Sequence, residues 1–446
     1  MNYLIGLDIG TTAIKGAIMT AEGKVVKTVS GGYNYFGDQN RKLLHPDEFI
    51  DVCFSVLKKL TKTLGVNDNV LAVCPCCASG NLILLDENKE PLTPIIGWQT
   101  VVGEEDKNAF FTKDEQESFY NMVGWPLGMR FPALYLAAIK LHAPELLKKS
   151  EIIAMSAEYL NFALTGKWGI SHSMGTPFFL MNQEKGVYNT WLLEKLGIDE
   201  RKLPPIYSKG TVLGSVMSEV AEELGLSVDT KVVLGSFDHP SGATGSGVFE
   251  EGEMLLSCGT SWVEFFPVSS RDFAISTKGL VDRFMLDGSP YCVMKSITSV
   301  SEKIDALRYR YLGDISHKEY DDLAKAAPYG SNGLRFNFTD DDYSIDAKYT
   351  KSDIARAIIE AAAFILKDNL ETLEKSGLVA NKITMIGGIS NSQICVDIVS
   401  EVLQRPVKVS NGQAAGAIGA CLLAGIGAGI YKNEKDAFSI LKDSRC

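Results

Sequence analysis

Two short runs carry the residue types that hold phosphate. Asp8-Ile9-Gly10-Thr11-Thr12 and Ser257-Cys258-Gly259-Thr260-Ser261 each lie between apolar stretches of strand character, and Gly10 and Gly259 stand 249 positions apart in a chain of 446 residues. Glycine lets the backbone approach a polyphosphate, neighbouring N–H groups point at phosphate oxygens, and hydroxyls add neutral donors. Facing one another across a cleft, the two turns would clamp ATP from both sides. Asp8 is an acceptor-only group at a strand end and suits Mg²⁺ held through its waters, while Lys15 would offset phosphate charge. A turn-capping Asp8 and a solvated Lys15 are the plainer alternatives.

Asp238 is the candidate general base. It follows the strand 231–234 in the run Gly235-Ser236-Phe237-Asp238-His239-Pro240, and so sits beyond the carboxyl end of a strand, where ligands lie in open α/β sheets. Phosphoryl transfer to an alcohol needs a carboxylate within reach of the attacking hydroxyl, and in a loose transition state an ordinary Asp suffices. The competing reading is a helix N-cap. Gly387 and Gly388, between a strand and a helix entry marked by Ser390 and Asn391, are candidates for the adenosine side, against a plain helix-entry turn. No His-Glu-x-x-His, Walker-type loop or nucleophile elbow is present, which removes support for metalloprotease, P-loop and α/β-hydrolase chemistry.

The elements that must position these groups alternate. Residues 3–9 and the stretch through Ile18 read as strands around the Gly10 turn, and Ala21-Glu22-Gly23-Lys24 turns into a third. Residues 46–64 have helical spacing, with Phe49, Val52, Cys53, Val56, Leu57 and Leu60 on one face, and strands recur at 70–73 and 82–85. A mostly helical middle follows, with amphipathic stretches at 133–141, 157–164 and 191–196. The second half repeats strand, Gly-Thr turn and strand, then closes with a long helix over 352–375, a strand over 382–386, a helix through Leu403, a final strand and a glycine-rich helix. The class is α/β.

Length allows two or three domains at about 150 residues each, and 46% apolar content is ample for a core. A net charge of −11 without a basic run makes nucleic acid and anionic membranes poor partners. The start has no secretory character, and the run 414–430 is 17 residues with five Gly, short of a membrane span. A cytoplasmic location is expected. The nine Cys lack zinc-site spacing, and Cys74-Pro75-Cys76-Cys77 reads as buried thiols.

These runs, in this order, resemble the FGGY carbohydrate kinases, the group of xylulokinase, glycerol kinase, L-fuculokinase and rhamnulokinase. The resemblance spans nearly the whole chain. The two Gly-Thr runs, with Lys15, look like the family's phosphate motifs, residues 235–239 like the segment bearing the catalytic Asp, 355–364 like the long second-domain helix, 386–392 like the adenosine motif and 413–429 like the closing helix. It implies two actin-like ATPase (ribonuclease H-like) domains around a central cleft. These would be residues 1–245, with the sugar site, the first phosphate turn and the base, and residues 246–446, with the second phosphate turn and the adenosine site.

The resemblance implies ATP- and Mg²⁺-dependent transfer of the γ-phosphoryl group to a hydroxyl of a small ketose or polyol. Asp238 would be the base, Asp8 the metal-side carboxylate, and Gly10, Thr11, Thr12, Lys15, Gly259, Thr260, Ser261, Gly387, Gly388 and Asn391 the nucleotide contacts. The sugar-facing positions depart from the xylulokinase pattern. Cys77-Ala78-Ser79-Gly80 replaces Gly-Gln-Met-His, Trp98 is followed by Gln99, Thr100, Val101 and Val102 where the family has Trp-x-Asp-x-Arg, and an expected Asp is replaced near residues 169–173. Trp98, Arg130, His172 and His239 are therefore the candidates for a different ketose or polyol contact. Residues 328–350 are shorter than the corresponding family region, and Asp340-Asp341-Asp342 within them reads as a solvated turn. Two other functions stay open: an actin-like ATPase without a sugar acceptor, and a catalytically weak sugar or nucleotide sensor. A homodimer is an open alternative for assembly.

Overall fold

The computed structural model describes residues 1–78, 80–259, 261–286, 288, 290–338 and 345–441. Ser79, Thr260 and the run Asp340-Asp341-Asp342 lie outside them. Two six-stranded mixed sheets are built on one plan. In the first, β1 (Asn2–Ile9), β2 (Ala13–Thr20) and β3 (Val25–Gly32) form an antiparallel meander. Helix α1 (Pro46–Thr61) then returns the chain to β4 (Asn69–Cys77), parallel to β1. After a long excursion, β5 (Val212–Ser215) and β6 (Lys231–Val233) complete the order β5-β6-β4-β1-β2-β3, and helix α2 (Asp238–Ser246) follows.

The second sheet contains β7 (Glu253–Cys258), β8 (Trp262–Val268), β9 (Leu280–Arg283) and β10 (Tyr291–Ile297). After helix α3 (Lys351–Lys375) come β11 (Lys382–Gly387), helix α4 (Gln393–Leu403), β12 (Val407–Val409) and helix α5 (Ala415–Gly427). The order is β9-β10-β8-β7-β11-β12, with β11 parallel to β7 and β12 parallel to β11. Apart from the added edge strands β5 and β9, the sequence of pairings and directions matches that of the first sheet. The repeat thus extends from one turn to a whole sheet.

Local chemistry explains the elements. Helix α1 starts at Pro46, where a missing N–H costs nothing, carries Asp47 and Glu48 in its first turn and Lys58 and Lys59 in its last, and buries Phe49, Cys53, Val56, Leu57 and Leu60 against the sheet. Helix α3 opens on a capping box between Thr350 and Asp353. It buries Arg356 with Glu360 one turn on, at 2.8 Å. Cys74, Cys76 and Cys77 of β4 are buried.

Helix α5 comes from the end of the chain yet packs on the first sheet, its Ala417, Ala420, Cys421 and Leu423 sharing a core cluster with Leu4, Ala17, Ala72, Cys74 and Val233. It also crosses α2 at backbone distance. A Cβ on Gly245 would lie 2.7 Å from the amide nitrogen of Gly419, and one on Gly419 would lie 2.8 Å from the carbonyl carbon of Ser241. Only glycine permits that approach. The middle of the chain is helical as expected, although Ile83–Leu85 pairs with Ile152–Ala154 as a separate two-stranded sheet and does not join the main one.

Candidate active site

A cavity of about 400 Å³ opens between the two sheets and is lined by both glycine turns, by Asp8, Lys15 and Asp238, and by Gly387. The first turn is closed by the Gly10 amide donating to Ala13 O at 3.0 Å, and the Tyr33 hydroxyl donates to the Gly10 carbonyl. In the second, Gly259 N donates to Ser261 O at 3.1 Å and Ser301 Oγ to the Gly259 carbonyl at 2.6 Å. Each glycine carbonyl is thus taken by a hydroxyl from its own half of the chain. Gly10, Thr11, Thr12, Gly259 and Ser261 all face the cavity.

The two turns differ in charge. Asp8 stands opposite Lys15 in the β1–β2 register, whereas the equivalent Ser257 stands opposite Val263. Removal from water pushes the Asp8 carboxyl up to about 7, helped by the charge of Asp238 and opposed by Lys15. Asp8 packs against Gly416 in the first turn of α5, and no described residue donates a hydrogen bond to it. Asp238 is the first residue of α2, and its Oδ1 accepts from the His239 amide at 2.8 Å. Two neighbouring carboxylates, one without a donor, form a place that a hydrated Mg²⁺ beside phosphate would relieve.

On the other side, Gly387 has φ +103 and its Cβ would lie 2.5 Å from the Cys258 carbonyl carbon. The β7–β11 pairing therefore demands glycine there. Gly388 and Asn391 are not among the lining residues. They form the short turn Gly388–Asn391, where a Cβ on Gly388 would meet nothing within 4 Å and one on Gly412 would lie 3.7 Å from Asn391 Oδ1. The cap of α4 is Ser392, one residue beyond the expected Ser390 and Asn391.

Beyond Asp238 the walls are aromatic. Trp98 Nε1 donates to Thr11 Oγ1 at 3.0 Å, tying this wall to the first turn, and the Arg130 guanidinium lies 5.7 Å from the Trp98 ring centre. Trp125 packs edge-on to Phe131 at 5.4 Å and to Phe237 at 5.6 Å, and Phe237 to His239 at 5.3 Å. Trp98, Arg130 and His239 therefore line the cavity, as the sequence suggests. His172 is not among the lining residues. It lies against Gly186, where a Cβ would come 2.7 Å from its Cε1, and burial followed by the Arg283 charge holds it below the usual imidazole range. Trp125, Phe131, Phe237 and Gly416 were missed by sequence reasoning. Only Gly416, in a helix rich in small residues, carried a signal that could have found it.

Residues 3–245 match the model for the N-terminal domain of the FGGY family of carbohydrate kinases, and residues 316–428 match the model for its C-terminal domain. The chain belongs to the FGGY family. It is 24% identical to a xylulose kinase of Staphylococcus epidermidis, over 96% of this chain and 88% of that protein. It is 25% identical to an L-xylulose/3-keto-L-gulonate kinase of Escherichia coli K12, over 98% and 90%. Its fold superposes on that of a ligand-bound xylulose kinase from Lactobacillus acidophilus with a TM-score of 0.88 at 22% identity, covering 99% of this chain and 92% of that one.

The architecture is that of the FGGY kinases, two actin-like ATPase domains, and the activity class is carbohydrate kinase. FGGY kinases use ATP with Mg²⁺, and the paired glycine turns and the Asp8 carboxylate fit both groups. Among the described residues no helix is long and apolar enough to cross a membrane.

Proposed function

We propose that this chain transfers the γ-phosphoryl group of ATP to a hydroxyl of a small ketose or polyol, with Asp238 as general base. The observation that carries the reading is the convergence of Asp238, Asp8 and both glycine turns on one cavity. Asp238 would accept the hydroxyl proton while the turns hold the phosphates and Lys15 offsets their charge. Mg²⁺, when bound, supplies positive charge at the phosphate oxygens, and Asp8 would hold its waters. Gly387, which lines the cavity, with Gly388 and Asn391 in the adjoining turn, would take the adenosine side, and Trp98, Arg130 and His239 the acceptor side. Residues 1–245 and 246–446 act as two halves that close on the cleft and exclude water. Supporting two halves, each brings one turn to the cavity, while α5 crosses from the second half to pack on the first sheet.

The xylulose kinases among its relatives make pentuloses the first acceptors to assay. Asp238→Asn should keep the fold and ATP binding while abolishing acceptor-dependent ADP release. Full activity in that variant would refute the mechanism.

A further inference from the structure

Phe131 has φ +82 and ψ 159, a conformation that glycine adopts freely and other residues hold only where their surroundings force it. The surroundings here do so. Pro132 follows and bars the α region, and the Phe131 carbonyl accepts from Leu134 N at 2.9 Å and from Tyr135 N at 3.2 Å in the first turn of the helix Pro132–His142. Its ring stacks on Phe179 at 4.7 Å and leaves no room for a side chain at Gly80, where a Cβ would lie 2.7 Å from Phe131 Cε1. Phe131 is also the far end of a row of rings that runs through Trp125 and Phe237 to His239, next to Asp238.

The ring borders two cavities. Beside the active-site cavity lies a second one of about 460 Å³, and Trp125, Arg130, Phe131 and Leu280 line both. Pro126 and Gly128 on the second cavity are exposed, so it reaches the surface. We propose that Phe131 is a specificity-determining residue, the end-stop that limits the length of the acceptor. An acceptor with its reacting hydroxyl at Asp238 extends along the row of rings and ends at Phe131, and a longer one has to displace that ring to enter the second cavity. The constrained backbone, the Phe179 stack and the close approach of Gly80 hold the ring in place, and a packed wall of this kind does not yield to an extra carbon without cost. This specificity rests on the kinase reading above.

The test measures acceptor-dependent ADP release and binding calorimetry with ketoses of five, six and seven carbons and the matching alditols. Wild type should discriminate against the longest. Phe131→Ala joins the two cavities and should raise kcat/KM for seven carbons relative to five roughly 10- to 200-fold, the range for a methylene-sized difference in a pocket, through the KM for the acceptor and with the KM for ATP unchanged. Phe131→Gly should give the same gain and melt no lower than Phe131→Ala, because glycine relaxes at this φ and alanine does not. Equal losses at every acceptor length in both variants would reduce Phe131 to packing, overturning the end-stop and leaving the kinase intact. Wild type that uses seven carbons as well as five would also overturn it. A shift of binding toward the longer acceptors in the variants, without ADP release for any acceptor, would sustain the end-stop and sink the kinase reading. No binding of any of these acceptors by wild type or variants would overturn both.

Discussion

A Cβ on Gly416 would stand 2.6 Å from Cγ of Asp8 and closer still to Oδ2. The first turn of α5 and the end of β1 therefore meet at the carboxylate with no room for a methyl group. Gly416→Ala must push Asp8 out of place or tilt α5, and a displacement of about 1 Å at a reacting centre costs on the order of 100-fold. The expected result is a fall in kcat of that order with a small change in melting temperature, measured by coupled ADP release and thermal unfolding. Unchanged kcat would show that Asp8 has another place to go.

Lys209 and Glu434 form a buried ion pair at 2.9 Å, with side chains 6% and 0% exposed. Burial alone would raise the Glu434 carboxyl, but the Lys209 charge and hydrogen bond outweigh it and hold the group below its usual range. Lys209→Met should cost about 3–5 kcal/mol by stranding the carboxylate. Lys209→Met with Glu434→Leu should recover most of that. Urea unfolding of the single and double variants tests this, and equal losses in both would remove the stranded charge as the cause.

Asp282 of β9 is buried and accepts from Ser173 Oγ at 3.0 Å and from the Arg283 amide at 2.7 Å. Burial pushes its carboxyl up to about 7, against the pull of Thr176, the Arg283 amide, Ser173 and Lys209. The folded state thus binds a proton that the unfolded chain, near about 3.9, has lost. Between those values the folded form holds more protons, so this group's contribution to stability falls as pH rises. Asp282→Asn should lose less melting temperature than wild type between pH 5 and pH 7, read by calorimetry at both. A parallel fall in the two proteins would exclude Asp282 as the source.

How much of this was legible in the sequence follows from the range of the forces involved. The face of α1 could be read because 3.6-residue spacing is local, and Phe49, Val56 and Leu60 are buried as that spacing requires. The Gly10 and Gly259 turns could be read because glycine and hydroxyl types at a strand end are a local signal. Trp125 could not. Its place is set by the Gly124 carbonyl accepting from Val281 N at 2.9 Å across the junction with β9, a contact that no spacing announces. His172 and Ser173 are indistinguishable in sequence as candidates, yet the helix beginning at His172 turns Ser173 inward, where its Oγ accepts from Phe237 N at 3.2 Å, and sends the imidazole toward Gly186.

The two glycine hairpins are copies in topology and unequal in charge, Asp8 with Lys15 in one and Ser257 with Val263 in the other. Two identical hairpins around a cleft would leave an elongated polyanion indifferent to which end pointed where. One acidic strand end breaks that degeneracy. A duplicated scaffold has thereby become a vectorial one, in which a ligand entering reversed meets the wrong electrostatics before it meets any steric barrier.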